Sequence, residues 1–451
     1  MLTAGALSTH NTRREFPRWR PAKPCRAAGL PRTIGILAVV LMTGCGGPKL
    51  MPTPNIYAGS TKDCFDDVPE PFRTNKVELV YVTDRNPVKD ADGRLSYGTK
   101  RSLSLGYGIC TVSIGKDLPW PELVNESRMA SRRRDLDLEC TEIREVGRLP
   151  NTPVPLVKID GVVQDDPTAL KETAAARDAF CSLITDRVAL CPEKKDAYIL
   201  VHGFANMFED AAYVMAGVWH FLGRKGVPII YTWPAGESYA YDRESGEFTV
   251  FHLKQFLRGL ASCPTLEKIH IIAHSRGTDV VLTALRELNI EYRSKGLSGG
   301  KELKLAHVVL CAADLDLGVV SQRITAERIP LMPGNMTVYS SDTDRAIGFA
   351  EWLFKSDRRL GELRASDLTP HQRQGLANAA NLDIIQARTT DNLVGHDYFH
   401  SNPSVSSDLI LMLRDGREPG AKNGRPLVEM FENFWEIRDG YPQNMKTGEV
   451  P

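Results

Sequence analysis

The residues able to carry covalent chemistry follow one another along the chain in a telling order. Ser275, in the stretch IIAHSRGTDVV (271–281), comes straight after an apolar run. It opens a segment in which Val280, Val281, Ala284, Leu285 and Leu288 share one helical face. Strand, sharp turn and helix in succession force a serine into a strained backbone conformation with its hydroxyl raised above a sheet, the setting of an activated nucleophile. The residues two before and two after it pass close together and must be small. Gly277 satisfies this, and Ala273 adds one methyl. The competing role for such a serine is to cap the helix, and AHSRG alone does not choose between the two.

A nucleophilic serine also needs oxyanion donors, a base and an acid. A second apolar run ends in Val201-His202-Gly203-Phe204. A loop there supplies one backbone donor and the residue after the nucleophile the other, here the N–H groups of Phe204 and Arg276. His202 precedes the nucleophile and reads as structural. The acid and base follow the serine in the order carboxylate, then histidine. Asp314, Asp316, Asp342 and Asp344 come after two later apolar runs, and His396 and His400 after the last one. Each has a plainer role to set beside catalysis: Asp342 as a helix cap, Asp314 or Asp316 as loop organisers, Asp344 as a first-turn acid. His396 lies in VGHDYFHSNP, just before a helix signalled by Asn402 and Pro403, and is the preferred base, with His400 as the alternative. The Arg276 side chain is expected to face solvent.

These residues must be positioned by a sheet. VELVYVT (77–83), SLSLGYGICTVSI (102–114), AYILVHG (197–203), VPIIYTW (227–233), KIHIIAH (268–274), LAHVVLC (305–311), MTVYSS (336–341) and LDIIQA (382–387) read as strands. Helical periodicity covers the segment from Phe208 to Leu222 and the ranges 247–262, 276–291 and 344–357, and Asp165-Asp166-Pro167 marks a further helix start. Strands alternating with helices give an α/β fold, a doubly wound and mainly parallel sheet that binds ligands beyond the carboxyl ends of its strands. The expected organisation is a signal segment at 1–44, a flexible tether at 45–75, an N-terminal β extension with a helical insertion at 76–195, the core at 196–415 and a tail at 416–451.

Lys+Arg and Asp+Glu both number 56 in the 451 residues, so no charge bias points to nucleic acid. The charge is uneven, however. Seven basic residues precede the apolar run Ile34–Met42, which is too short to span a bilayer and suits an export signal. Leu41-Met42-Thr43-Gly44-Cys45-Gly46 follows and resembles a lipobox, with Cys45 as the lipidated residue. Arg13-Arg14 lies too far upstream to serve as a twin-arginine signal. Export allows disulfides. Setting aside Cys25 and Cys45, seven of the nine cysteines remain; Cys181 and Cys191 could bridge, the sequence leaves the connectivity open, and no Cys/His cluster suggests a metal.

Together these segments resemble the bacterial α/β-hydrolase family called domain of unknown function 900. The likeness runs from about Val77 to Leu413, through VYVTDR, RSLSLGYG, VHGFANMFEDA, YTWPAGES with Tyr241-Asp242 after it, IIAHSRG, VVLCAADLD, VYSSDTDRAI and GHDYFHSNPSVSSDL. In that family AHS is the usual start of the elbow. The resemblance implies an α/β-hydrolase fold with Ser275 as nucleophile, Asp344 as acid and His396 as base; Arg276 departs from the pattern. The expected function is an envelope lipoprotein acting on an ester or lipid-like substrate. It would need no cofactor or metal, would reach the membrane through Cys45 and would face the periplasm; its oligomeric state is left open. Amides and peptides would use the same residues. The rival expectation is a binding or assembly lipoprotein that keeps the fold without catalysis.

Overall fold

A computed structural model describes residues 47–58, 64–341, 359–379, 381–389 and 395–443. Cys45, Asp342, Asp344 and the helix expected at 344–357 lie outside the described residues. The strands are β1 (Lys76–Lys89), β2 (Leu95–Ile114), β3 (Leu138–Arg148), β4 (Leu156–Ile159), β5 (Val162–Asp165), β6 (Asp196–Val201), β7 (Val227–Thr232), β8 (Lys268–His274), β9 (Leu305–Cys311), β10 (Asn335–Ser340), β11 (Leu382–Arg388), β12 (Val428–Phe431) and β13 (Phe434–Arg438). Helices of two turns or more are α1 (Trp120–Ser127), α2 (Pro167–Ala189), α3 (Phe208–Phe221), α4 (Tyr239–Ser262), α5 (Gly277–Ser294), α6 (Pro370–Ala377) and α7 (Pro403–Asp415).

All strands but β4 and β5 form one eleven-stranded sheet in the order β12-β13-β11-β10-β9-β8-β6-β7-β1-β2-β3. From β13 to β1 the neighbours run parallel, while β12, β2 and β3 are antiparallel to the strands beside them. Every residue of β6 and β7 is buried, as central strands covered on both faces must be. Alternation along the strands divides the core between two layers. Tyr198, Leu200, Ile272 and Val309 face α3 and α7, whereas Ile199, Val201, Ile271, Ala273 and Val308 face α4 and α5. The stripe expected on α5 is real: Val281, Ala284, Leu285 and Leu288 are completely buried. Truncating Leu285 to alanine would cost roughly 2–5 kcal/mol.

The chain reverses direction across the sheet at β6, with β7 on one side of it and β8 on the other. The crevice beyond the carboxyl ends of β6 and β8 is therefore the natural ligand position.

Two expectations need correction, and one open pairing is fixed. Residues 47–58 and 64–75 are not a free tether, because Leu50, Met51, Tyr57, Phe65, Val68 and Phe72 are buried. Tyr57 stacks on Phe221 of α3 and donates to its carbonyl, and Leu50 N–H and Pro48 C=O bond to the chain at 136–138. These apolar residues keep no regular period because they fill a groove rather than one face of an element. The tail at 416–451 supplies β12 and β13, and β13 extends the sheet beside β11. Cys181 bonds to Cys263, not Cys191, which is a buried free thiol. The bridge joins α2 to the end of α4, whose packing brings the two Cα atoms to 5.2 Å although 82 residues separate them.

Candidate active site

Ser275 follows the last residue of β8 with φ +52°, in the left-handed region that costs a non-glycine residue about 1–3 kcal/mol. Three hydrogen bonds hold it there. Ser275 N–H donates to Cys311 C=O of β9 (2.9 Å), and its own carbonyl accepts from Thr278 N–H (3.0 Å) and Thr278 Oγ1 (2.7 Å). The tight approach explains the two glycines. A Cβ on Gly203 would lie 2.6 Å from Ser275 Cβ, and one on Gly277 would lie 2.4 Å from His202 O. Ala273 is fully buried among the residues facing α4 and α5, so its methyl is accommodated.

The backbone N–H groups of Phe204 and Arg276 flank this turn, one after Gly203 and one after Ser275. Neither has a hydrogen-bond acceptor among the described residues. The loop carrying Phe204 is strongly braced. Asp242, fully buried at the start of α4, accepts from Ala205 N–H (3.0 Å), Gly236 N–H (3.0 Å) and Glu237 N–H (3.3 Å). Buried Arg85 donates to Asn206 C=O (2.7 Å) and Ala235 C=O (3.0 Å). Burial lowers its pKa to about 10, which still leaves it cationic at neutral pH. His202 is structural, as expected. Its Nδ1–H donates to Gly203 C=O (2.8 Å) and its Nε2 accepts from Trp233 N–H (3.1 Å). Burial, with Arg85 beside it, drives its pKa down to about 3, so the ring is neutral.

His274, the residue before Ser275, ties in the histidine loop. Its Nε2–H donates to the carbonyl of His396 (2.9 Å), and the two rings lie 4.8 Å apart. Burial, reinforced by His396, holds the His274 pKa well below the ordinary imidazole value. It is therefore a neutral donor. The backbone of His396 is thus tied to the last residue of β8. His400 lines, with His274, Asp397 and Phe399, a cavity of about 330 Å³ on the α3 side of the sheet. The expected cap at the following helix is present: Asn402 Oδ1 accepts from Ser404 N–H and Val405 N–H.

The two described candidate acids have other partners. Asp314 pairs with Arg359 (2.9 Å) and accepts from Tyr239 Oη (3.3 Å), while Asp316 caps the turn at Leu317–Val319. Asp342 and Asp344 follow β10 in sequence and lie outside the described residues. Arg276 does not extend into solvent. It pairs with Asp279 one turn into α5 (2.8 Å), and both side chains are largely buried.

Sequence reasoning missed Asp242, Arg85 and His274 as organisers of the site. The signals were present in Tyr241-Asp242, VYVTDR and AHS, but none of these residues has a local pattern that declares its partner. Among the described residues no group of three or more His, Cys, Asp or Glu is arranged to hold a metal ion. Residues 178–414, just over half of the chain, match the family model described as alpha/beta hydrolase of unknown function (DUF900). No curated protein matches the chain.

Proposed function

Because this chain belongs to the DUF900 alpha/beta hydrolases, we propose that it is a serine hydrolase that cleaves carboxylic esters through an acyl-enzyme. The observation that carries this reading is Ser275 at φ +52° between a strand and a helix, flanked by two backbone N–H groups that have no acceptor among the described residues. A capping serine needs no such strain.

In this reading His396 takes the proton from Ser275 Oγ as the oxygen attacks the ester carbonyl. The tetrahedral oxyanion is held by the N–H groups of Phe204 and Arg276. His396 then protonates the departing alkoxide, and water activated by the same imidazole releases the acid and restores Ser275. Asp344 is the carboxylate that orients the imidazole; the other employment of Asp314 and Asp316 favours it. The chain is exported, lipidated at Cys45 and held at a bacterial envelope membrane facing the periplasm, on the strength of the apolar run and the lipobox resemblance.

Labelling with a fluorophosphonate probe tests the assignment. Wild-type protein is expected to label, and Ser275→Ala to lose the label and about 10⁴-fold or more of any ester turnover. A folded wild-type sample that stays unlabelled would overturn the hydrolase reading and leave the fold as a binding or assembly module. A panel of esters and amides of varied acyl length then fixes the scissile bond.

A further inference from the structure

The hairpin β4–β5 stands outside the main sheet and leaves most of its apolar side chains exposed. Leu156 is 67 % exposed, Val162 61 %, Val163 64 % and Ile159 40 %. Its geometry is nonetheless well specified. Ile159 pairs with Val162 across a two-residue turn in which Asp160 and Gly161 both have positive φ, the turn whose twist suits a hairpin. Asp166 N–H to Pro155 C=O closes its base.

The register fixes which side chains share a face. Ile159 and Val162 lie on one face with Val157 and Gln164, while Leu156 and Val163 lie on the other with Lys158 and Asp165. Apolar side chains are therefore exposed on both faces of the same ribbon. A protein partner or a second copy seated on the hairpin covers one face and leaves the other in water; an apolar medium around the tip covers both. Such exposure marks an interaction surface.

The hairpin also lies at a particular end of the molecule. Gly106 of β2 pairs with Thr83, which pairs with Thr232, the last residue of β7. Thr152, just before the hairpin, bonds through N–H and Oγ1 to Leu103, beyond that level. The ribbon therefore springs from the carboxyl end of the parallel sheet, the end that carries Ser275. Leu103, itself exposed, adds to the apolar surface at this end.

We propose that β4–β5 dips into a lipid bilayer and turns the Ser275 end of the sheet toward it, so that the esters reached are those resident in the membrane. The substrate part rests on the hydrolase reading above; the membrane contact does not. The outward N–H and C=O groups of a two-stranded ribbon exclude the hydrocarbon centre, so the tip sits at the headgroup boundary, roughly 5–10 Å deep.

The test uses the full chain on phosphatidylethanolamine and phosphatidylglycerol vesicles, with an environment-sensitive fluorophore on Ile159→Cys or, at the opposite end of the sheet, on Ser294→Cys. The unsubstituted protein gives the background from native thiols. Brominated acyl chains are expected to quench the label at 159 and to leave that at 294 unchanged. The double variant Ile159→Ser/Val162→Ser is expected to lose turnover of a vesicle-embedded ester by on the order of tenfold while keeping that of a soluble ester. An unquenched label at 159 on vesicle-bound protein, or one shielded only on self-association, would overturn the membrane contact. Quenching with no turnover of either ester would uphold the contact and overturn the hydrolase reading, so the two failures are distinct.

Discussion

The strained φ at Ser275 persists because Cys311 of β9, Thr278 of α5 and Gly203 after β6 leave it no alternative, and the same over-determination extends to the loop carrying Phe204. Asp242 accepts three backbone N–H groups there and in the 236–237 turn. An asparagine would place an NH2 against these donors and loosen the loop without touching substrate. Asp242→Asn is expected to lower kcat on the order of tenfold to a hundredfold, less than deletion of an oxyanion donor, with KM nearly unchanged. Steady-state kinetics beside a thermal melt decides this; wild-type kcat in the variant would refute the positioning role. Residues of this kind stay hidden in a sequence because their meaning is made by distant contacts. His274 meets His396 across 122 positions, and nothing in AHS announces that its ring will hold a loop backbone.

At the scale of elements, what was legible depended on regular burial. Strands such as Lys268–His274 and Leu305–Cys311 coincide with their apolar runs because both faces are covered, and the α5 stripe follows its period of 3.6. The charged edge strand β3 and the C-terminal strands β12 and β13 lack that signature, since one side of each meets solvent or a short neighbour. The C-terminal region is nevertheless integral. Arg425 is 1 % exposed and pairs with fully buried Asp408 of α7 (2.7 Å), which also accepts from Tyr339 Oη and Tyr441 Oη (2.6 Å each). Removing the guanidinium leaves a buried carboxylate with two neutral donors. Arg425→Ala is therefore expected to cost about 3–5 kcal/mol in urea unfolding. An unchanged midpoint would mean that the region after α7 is dispensable.

For the molecule as a whole, the two core layers enclose imidazoles that the native state keeps neutral. Burial holds His202 down to about 3, and lowers His220, His270 and His274 below the ordinary value, although Asp196 opposes the effect at His270. Their hydrogen bonds fit the neutral form: His220 Nδ1 accepts from Arg224 Nε, and its Nε2–H donates to Ser127 Oγ. Below pH ~6.5 the unfolded chain binds protons at these sites that the folded chain refuses, so folding stability must decline as pH falls. Asp196 acts in the same direction. Its burial favours the neutral acid, but hydrogen bonds from His270 and Lys194 outweigh that and lower its pKa to about 2. Its contribution is full above the usual carboxylate range and is lost between there and pH ~2. By linkage His202 alone removes roughly 2 kcal/mol by pH 5. Urea unfolding from pH 8 to 4 is expected to show a plateau above pH ~6.5 and then a continuous fall steeper than one proton explains. A flat profile down to pH 5 would show that the buried imidazoles gain protons without unfolding, against the hydrogen bonding that holds them neutral.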